Sequence, residues 1–325
     1  MSRPSTAGKA AGGKPGIMDY IGIARPDHWI KNIFMLPGVA AAFVVGQPGL
    51  LSVGTRFLVA LVCLCLIASA NYTINEYLDS AFDRFHPVKQ FRPGAQGRLS
   101  LSLVVLQYVL LACIGLGLAW SLNRPTFATA AVLLAMGVLY NVPPVRTKDK
   151  PYLDTLSESI NNPLRFLIGW FVVAPEFLPP GSALLAYWMG GAFLMGTKRY
   201  AEFRGIADAS RAALYRRSFA HYTEQTLLLS SFFYALCSAF FIAIFLIKYR
   251  VEFVLLAPFF GLLFTWYLAI GLRQNSAAQA PESLYRERSF LLFAGLLFVL
   301  SVALFFIDIP SLYVLMEPQI LRSGE

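Results

Sequence analysis

Phe57–Pro93 reads FLVALVCLCLIASANYTINEYLDSAFDRFHPVKQFRP. The first part of this stretch, continuing an apolar run over residues 55–75, is long enough to cross a hydrocarbon layer about 30 Å thick at the rise of an α-helix. Lipid offers no partner to a bare peptide group, so the run must be helical. Asn75, Asp79 and Asp83 then follow at intervals of four, with Glu76 beside the first. A helix continued through them carries their oxygens on one face. His86-Pro87 ends it, and Lys89 and Arg92 lie in the short loop beyond.

Similar runs fill the chain on both sides of this one. Reading outward gives nine spans: 30–46, 55–75, 99–120, 127–142, 152–174, 183–200, 227–248, 251–271 and 289–309. Hydrophobic residues make up 57% and charged residues 14% of the 325 positions, and mean hydropathy is +0.59, which excludes a soluble globular chain. The fold expected is all-α, a polytopic integral membrane protein with about nine helices. Residues 1–17, rich in Gly, Ser, Lys and Ala, read as a disordered cytosolic tail, and residues 18–325 as a single transmembrane domain.

Positive charge sets the expected orientation, because short cytoplasmic loops collect Lys and Arg. Twenty-one of the 27 basic residues fall on the side of the N-terminus; Arg56, Arg124, Lys248, Arg250 and Arg322 fall opposite, and Arg165 lies inside a span. The N-terminus is therefore expected in the cytosol and the C-terminus outside, in a cytoplasmic (inner) membrane. The net charge of +9 is spread over loops beside anionic lipid, which argues against a nucleic-acid partner. Cys63, Cys65, Cys113 and Cys237 lie in apolar runs without metal-ligand spacing and read as small core residues.

Carboxylates aligned at a membrane boundary repel one another and are expensive there, so a cation is expected among them. Magnesium takes one or two carboxylates and completes its octahedron with water and phosphate oxygens, which suits Asn75, Glu76, Asp79 and Asp83 as its holders and a diphosphate as its ligand. Lys89 and Arg92 either neutralise these acids or grip substrate phosphate.

The pattern from Asn75 to Asp83 resembles the first signature of the UbiA superfamily of intramembrane prenyltransferases, with Glu76 in place of its second acid. The continuation His86-Pro-x-Lys89-x-x-Arg92-Pro93 is similar to the branch containing decaprenyl-phosphate phosphoribosyltransferase. So is the opening Arg25-Pro-x-x-Trp29-x-Lys31-Asn32, although a Trp among cations is equally an interfacial anchor. The resemblance implies helices around a central cavity open to the cytosol and to lipid. It also implies that the first acidic motif holds magnesium and the substrate's diphosphate.

Three further groups belong to the expected site. Asp154 and Glu158 stand one turn apart at the start of the fifth span, and Arg165 lies about 16 Å further along it by helical rise, as a phosphate ligand or as a tie between helices. Lys198, Arg199 and Glu202 close the sixth span where prenyltransferases of the superfamily usually carry a second Asp-rich motif. On a bare helix Lys198 and Glu202 would form a weak salt bridge. Cations there suit phosphorylated substrates.

The expected activity is Mg2+-dependent transfer of 5-phosphoribose from phosphoribosyl diphosphate (PRPP) to a polyprenyl phosphate, releasing diphosphate. Asp79, Asp83, Asp154 and Glu158 are its candidate catalytic residues; Lys31, Lys89, Arg92, Arg165, Lys198, Arg199 and Glu202 are its candidate substrate ligands. The partners are a polyprenyl lipid, a phosphorylated sugar or prenyl diphosphate donor and the membrane, and homo-oligomerisation is left open. Two rivals are a prenyltransferase joining a prenyl diphosphate to an aromatic ring, and a lipid-phosphate carrier or inactive relative.

Overall fold

The computed structural model describes residues 16–46, 50–206, 208–249, 251–274, 276–279, 281–304 and 306–316. Residues 1–15 of the expected tail, Arg250 and Arg322 lie outside them. The described residues form helices joined by short turns, with no strand among them.

A short helix α1 (Ile17–Ile23) begins where the Asp19 carboxylate accepts the Gly16 N–H at 3.0 Å, a reciprocal cap on the first turn. After Arg25, whose φ of +52° turns the chain sharply, Pro26–Met35 winds as a tight 3-10 segment and leads into α2 (Leu36–Gly46). The next helix, α3 (Leu50–Asp83), has 34 residues. At about 1.5 Å per residue it is roughly 20 Å longer than a hydrocarbon core, so a helix spanning the bilayer carries its acidic last turns to the boundary.

Beyond it stand α4 (Leu101–Leu122) and α5 (Arg124–Asn141). The turn between them is held by Asn123, whose Oδ1 accepts the Thr126 N–H at 2.8 Å while its Nδ2 donates to the Phe171 carbonyl at 2.9 Å.

The expected span 152–174 is broken into α6 (Leu153–Ser159) and α7 (Asn161–Val173). Pro163 has no N–H to offer the Ser159 carbonyl and its ring crowds that position, so one helix cannot run through. Then come α8 (Gly181–Ile206), α9 (Ala209–Tyr215), capped by Asp208, and α10 (Glu224–Tyr249). After a 3-10 turn at Val251–Leu256, α11 (Ala257–Gly271), α12 (Arg288–Leu304) and α13 (Pro310–Met316) complete the described chain.

The two largest apolar cores among the described residues hold most of these helices. One gathers Met35, Ile67, Leu133, Ile168 and Val172 from the N-terminal half; the other gathers Phe193, Tyr234, Tyr267 and Ile270 from the C-terminal half. The α2–α7 crossing is close: a Cβ on Gly38 would lie 2.0 Å from the Phe166 carbonyl oxygen, and one on Gly169 2.2 Å from that of Met35. Only glycine lets the two backbones meet.

Among the described residues four helical stretches are long and apolar enough to cross a membrane: Val53–Asp83, Leu101–Leu122, Glu224–Leu246 and Val251–Gly271. Helix α12 is apolar but shorter. The remaining expected spans coincide with helices that are shorter, broken or less apolar, so the fold is that of a membrane protein without fixing the number of crossings at nine. Leu106, Leu110, Phe232, Phe240, Leu292 and Val299 lie exposed along α4, α10 and α12, as side chains facing lipid do.

Candidate active site

The end of α3, the loop after α5 and the end of α9 converge on one cleft, lined by Asp79, Phe82, Asp83, Arg146, Lys148, Asp149, Tyr215 and Arg216. Asp79 accepts from Arg146 Nη2 at 2.9 Å and from the Lys148 ammonium. Asn141 links this pair to the stripe: its Oδ1 accepts both from the Asn75 amide and from Lys148, the latter at 2.8 Å, and its own amide is tied to the Gly137 carbonyl at 2.9 Å. On the other side Arg92 Nη1 bridges Glu76 at 3.2 Å and Asp83 at 3.0 Å. The four residues therefore stand on one helix as expected, but their partners divide them. Asn75 meets the last residue of α5 and Asp79 the α5–α6 loop, whereas Glu76 and Asp83 meet the loop after α3.

The fit of a divalent cation can be judged from these donors. No group of three His, Cys, Asp or Glu side chains among the described residues is set to enclose a metal. Magnesium requires less: Asp79 and Asp83 line the same cleft, and the Asp79 side chain is 21% exposed to it. Their present counter-charges are ends of flexible side chains. Asp79, partly open to the cleft, and Asp83, buried beneath Arg92 beside it, suit an ion that takes one or two carboxylates and completes its shell with water and phosphate.

A second network lies beside the first. Arg199, 2% exposed, is held by three acids: Glu202 at 2.9 Å, Glu158 in a close contact, and Asp154 at 3.6 Å. Asp154 is wholly buried and also receives Arg216 at 3.3 Å, Ser218 at 3.0 Å and Tyr222 at 2.8 Å. Glu158, with 24% of its side chain exposed, takes Lys198 at 3.5 Å and the Tyr140 hydroxyl at 2.8 Å. Glu202 also receives Lys89 at 3.0 Å, and Lys89 donates to the Tyr215 hydroxyl as well. The Lys198–Glu202 pair expected of an isolated helix gives way to Lys198–Glu158, because α6 packs against α8.

Three loop groups outside the spans have shifted proton affinities. Burial pushes Lys148 down to about 8, against the pull of Asp79. Burial would also lower Lys89, but Glu202 and Tyr215 overcome it and raise the group above its ordinary value. His86 falls to about 4 through burial and the charge of Lys89; it stays neutral, and its Nδ1 accepts the N–H groups of Val88 at 3.1 Å and Lys89 at 3.2 Å.

Of the remaining expected residues, Lys31 lies on the 3-10 segment, 3.1 Å from His28 Nδ1. Arg165 is buried on α7 and donates from Nε to Asn32 Oδ1 at 3.1 Å. Sequence reasoning passed over Tyr140, Asn141, Arg146, Lys148, Tyr215 and Arg216. The cations among them carried only the general signal of a basic loop, and the rest carried none.

Comparison with known proteins gives a consistent picture. A model of the UbiA prenyltransferase family matches residues 34–293. Decaprenyl-phosphate phosphoribosyltransferase of Mycolicibacterium smegmatis is 32% identical over 212 residues, which is 65% of this chain and 64% of that protein. The Mycobacterium tuberculosis protein of the same name is 31% identical over 204 residues, 62% of this chain and 65% of its own length. The match thus spans slightly less than two thirds of either relative. A UbiA homolog from Archaeoglobus fulgidus, solved with DMAPP and Mg2+, superposes with a TM-score of 0.66 at 20% identity, covering 89% of this chain and 98% of that one.

Proposed function

The chain belongs to the UbiA prenyltransferase family, and from that premise we propose that it transfers 5-phosphoribose from PRPP to a polyprenyl phosphate, with release of diphosphate. The observation that carries this reading is the closure of Asp154, Glu158 and Glu202 on the Arg199 guanidinium. A second divalent ion for a prenyl diphosphate would need such acids free. Here a built-in cation takes them, and the surrounding Lys89, Lys148 and Arg216 suit a donor rich in phosphate. The names of the mycobacterial relatives point to the same transferred group and a polyprenyl-phosphate acceptor.

Asn75, Glu76, Asp79 and Asp83 are the residues that would hold magnesium, which when bound offsets the charge growing on the departing diphosphate. Arg146 and Lys148 line the same cleft, and Arg92 and Lys89 hold its wall through Asp83 and Tyr215; all four sit on flexible stems, placed to turn from carboxylate to phosphate as the donor enters. Glu158, open to the cavity, is the acid placed to accept from ribose hydroxyls. Asp154, enclosed by four donors, instead positions Arg199 and Arg216. In the transfer, an oxygen of the acceptor phosphate forms the new bond to ribose C1 while the C1–diphosphate bond breaks and its electron pair leaves with diphosphate. The nucleophile is already an anion, so no general base is required.

Residues 18–325 act as one transmembrane domain in this reading, with the site facing the cytosol. Protein purified into lipid nanodiscs tests it: labelled PRPP with polyprenyl phosphate and magnesium should give a labelled lipid. Labelling only from a prenyl diphosphate and an aromatic acid would transfer the assignment to the prenyltransferase reaction. Asp79→Asn should lower turnover by about 100-fold or more while the protein still folds, the order expected when an electrostatic stabiliser of the transition state is lost. Full activity in that variant would remove the metal from this place.

A further inference from the structure

Arg165 is 8% exposed, deep along α7 between the buried Leu164 and Phe166. Its one hydrogen bond to a described residue runs from Nε to Asn32 Oδ1 at 3.1 Å, and Asn32 in turn spends its amide on Cys65 Sγ at 3.3 Å. No carboxylate among the described residues comes within ion-pair distance of the guanidinium, and its two terminal nitrogens make no hydrogen bond to the described chain. A guanidinium at membrane depth without an anion is costly, which marks the place as one where an anion belongs.

The neighbouring charges have the same sign. The Tyr72 hydroxyl, which makes no hydrogen bond to a described residue, sits within electrostatic reach of Arg165, Lys198 and Arg25, with Glu158 the acid nearby. Lys31 lies within electrostatic reach of Lys198. Glu158 is already shared between Lys198 and Arg199, so it leaves the Arg165 charge uncompensated.

We propose that Arg165, Lys198 and Lys31, with the Tyr72 hydroxyl, form a subsite for the phosphate of the lipid acceptor, separate from the Asp79 cleft where the donor is held. This rests on the reaction proposed above. A phosphate monoester supplies the missing anion. The lipid-borne kind is favoured over the sugar phosphate by the position of Arg165 within a helix whose neighbouring Leu164, Phe166 and Ile168 belong to the apolar core, a depth that suits a headgroup carried on a hydrocarbon chain better than a water-soluble sugar.

The test measures binding of farnesyl phosphate, farnesol and inorganic phosphate to the full chain in nanodiscs, without magnesium or PRPP. Farnesyl phosphate should bind the wild type, and Arg165→Met should weaken it by about tenfold or more, the equivalent of about 1.4 kcal/mol. Arg165→Lys should recover part of the loss. In turnover the acceptor KM should rise in Arg165→Met while the PRPP KM stays within about twofold of wild type, a split that a merely structural role would not produce. Unchanged farnesyl phosphate binding in Arg165→Met, or a rise confined to the PRPP KM, would overturn the subsite. If Arg165→Met does not fold, Lys198→Met is judged by the same measurements. Loss of farnesyl phosphate binding in a protein that transfers no phosphoribose would keep the subsite and sink the reaction; normal transfer with an unchanged acceptor KM in the variant would do the reverse.

Discussion

Arg199 shows how much one side chain organises. It is a buried cation enclosed by three carboxylates from two helices, and removing it leaves those acids facing one another in a medium that solvates them poorly. Arg199→Met should therefore destabilise the protein by about 3–5 kcal/mol, seen as a large fall in thermal midpoint in detergent. Adding Glu202→Gln should restore part of it, since one uncompensated charge is then gone; no recovery would argue against the charge as the cause. His86 gives a pH effect whose sign follows from its environment. Its proton affinity falls from 6.5 to about 4 on folding, so between these values the unfolded chain binds the proton more readily. This contribution is complete above pH 6.5 and is lost as pH falls towards 4. His86→Asn keeps an acceptor for the Val88 and Lys89 N–H groups but cannot take up a proton, so its midpoint should fall less between pH 7 and pH 5 than that of the wild type.

At the scale of elements, the α2–α7 crossing and the break at Ile160 fix where Arg165 and Glu158 stand. A methyl on Gly169 would meet the Met35 carbonyl 2.2 Å away, and neither backbone can yield without moving the 3-10 segment that carries Lys31 and Asn32. Gly169→Ala is expected to cost about 1–3 kcal/mol as overpacking. Gly117→Ala on α4, whose new Cβ would meet nothing within 4 Å, should be neutral or slightly stabilising by helix propensity. Thermal midpoints of the two variants make the comparison, and equal midpoints would refute the close crossing. The segment from α9 to His221 forms a strap over the cleft, through Tyr215 on Lys89, Arg211 Nε on the Phe85 carbonyl at 2.9 Å, and Arg216 on Asp154. Its apolar signal is weak, which is why the sequence alone reads it as an ordinary basic loop.

For the whole molecule, the uneven distribution of Lys and Arg predicts that the α3 end, the α5–α6 loop and the strap share one compartment. Cysteine introduced at Arg217, with 67% of that side chain exposed, should react with a membrane-impermeant reagent from the cytosolic side. One at Leu178, 84% exposed between α7 and α8, should react from outside. Both are made in a cysteine-free background, and labelling of the two from one side would reverse or abolish the proposed orientation.

The apolar runs, the continuous α3 and the acidic spacing were legible in the sequence. Each is a local property: a run either satisfies its own peptide groups in lipid or does not, and residues four apart on a helix share a face wherever the helix lies. The break at Pro163 was equally local, though hydropathy alone passes over it. What only the tertiary structure decided is which charge answers which. Asp79 meets Arg146 across 67 residues, Glu158 meets Arg199 across 41, and Arg165 meets Asn32 across 133. A loop cation has the same composition whether it faces water or a carboxylate, and the choice is made by how α3, α6, α7 and α8 pack. That packing also leaves Arg165 without an acid among the described residues.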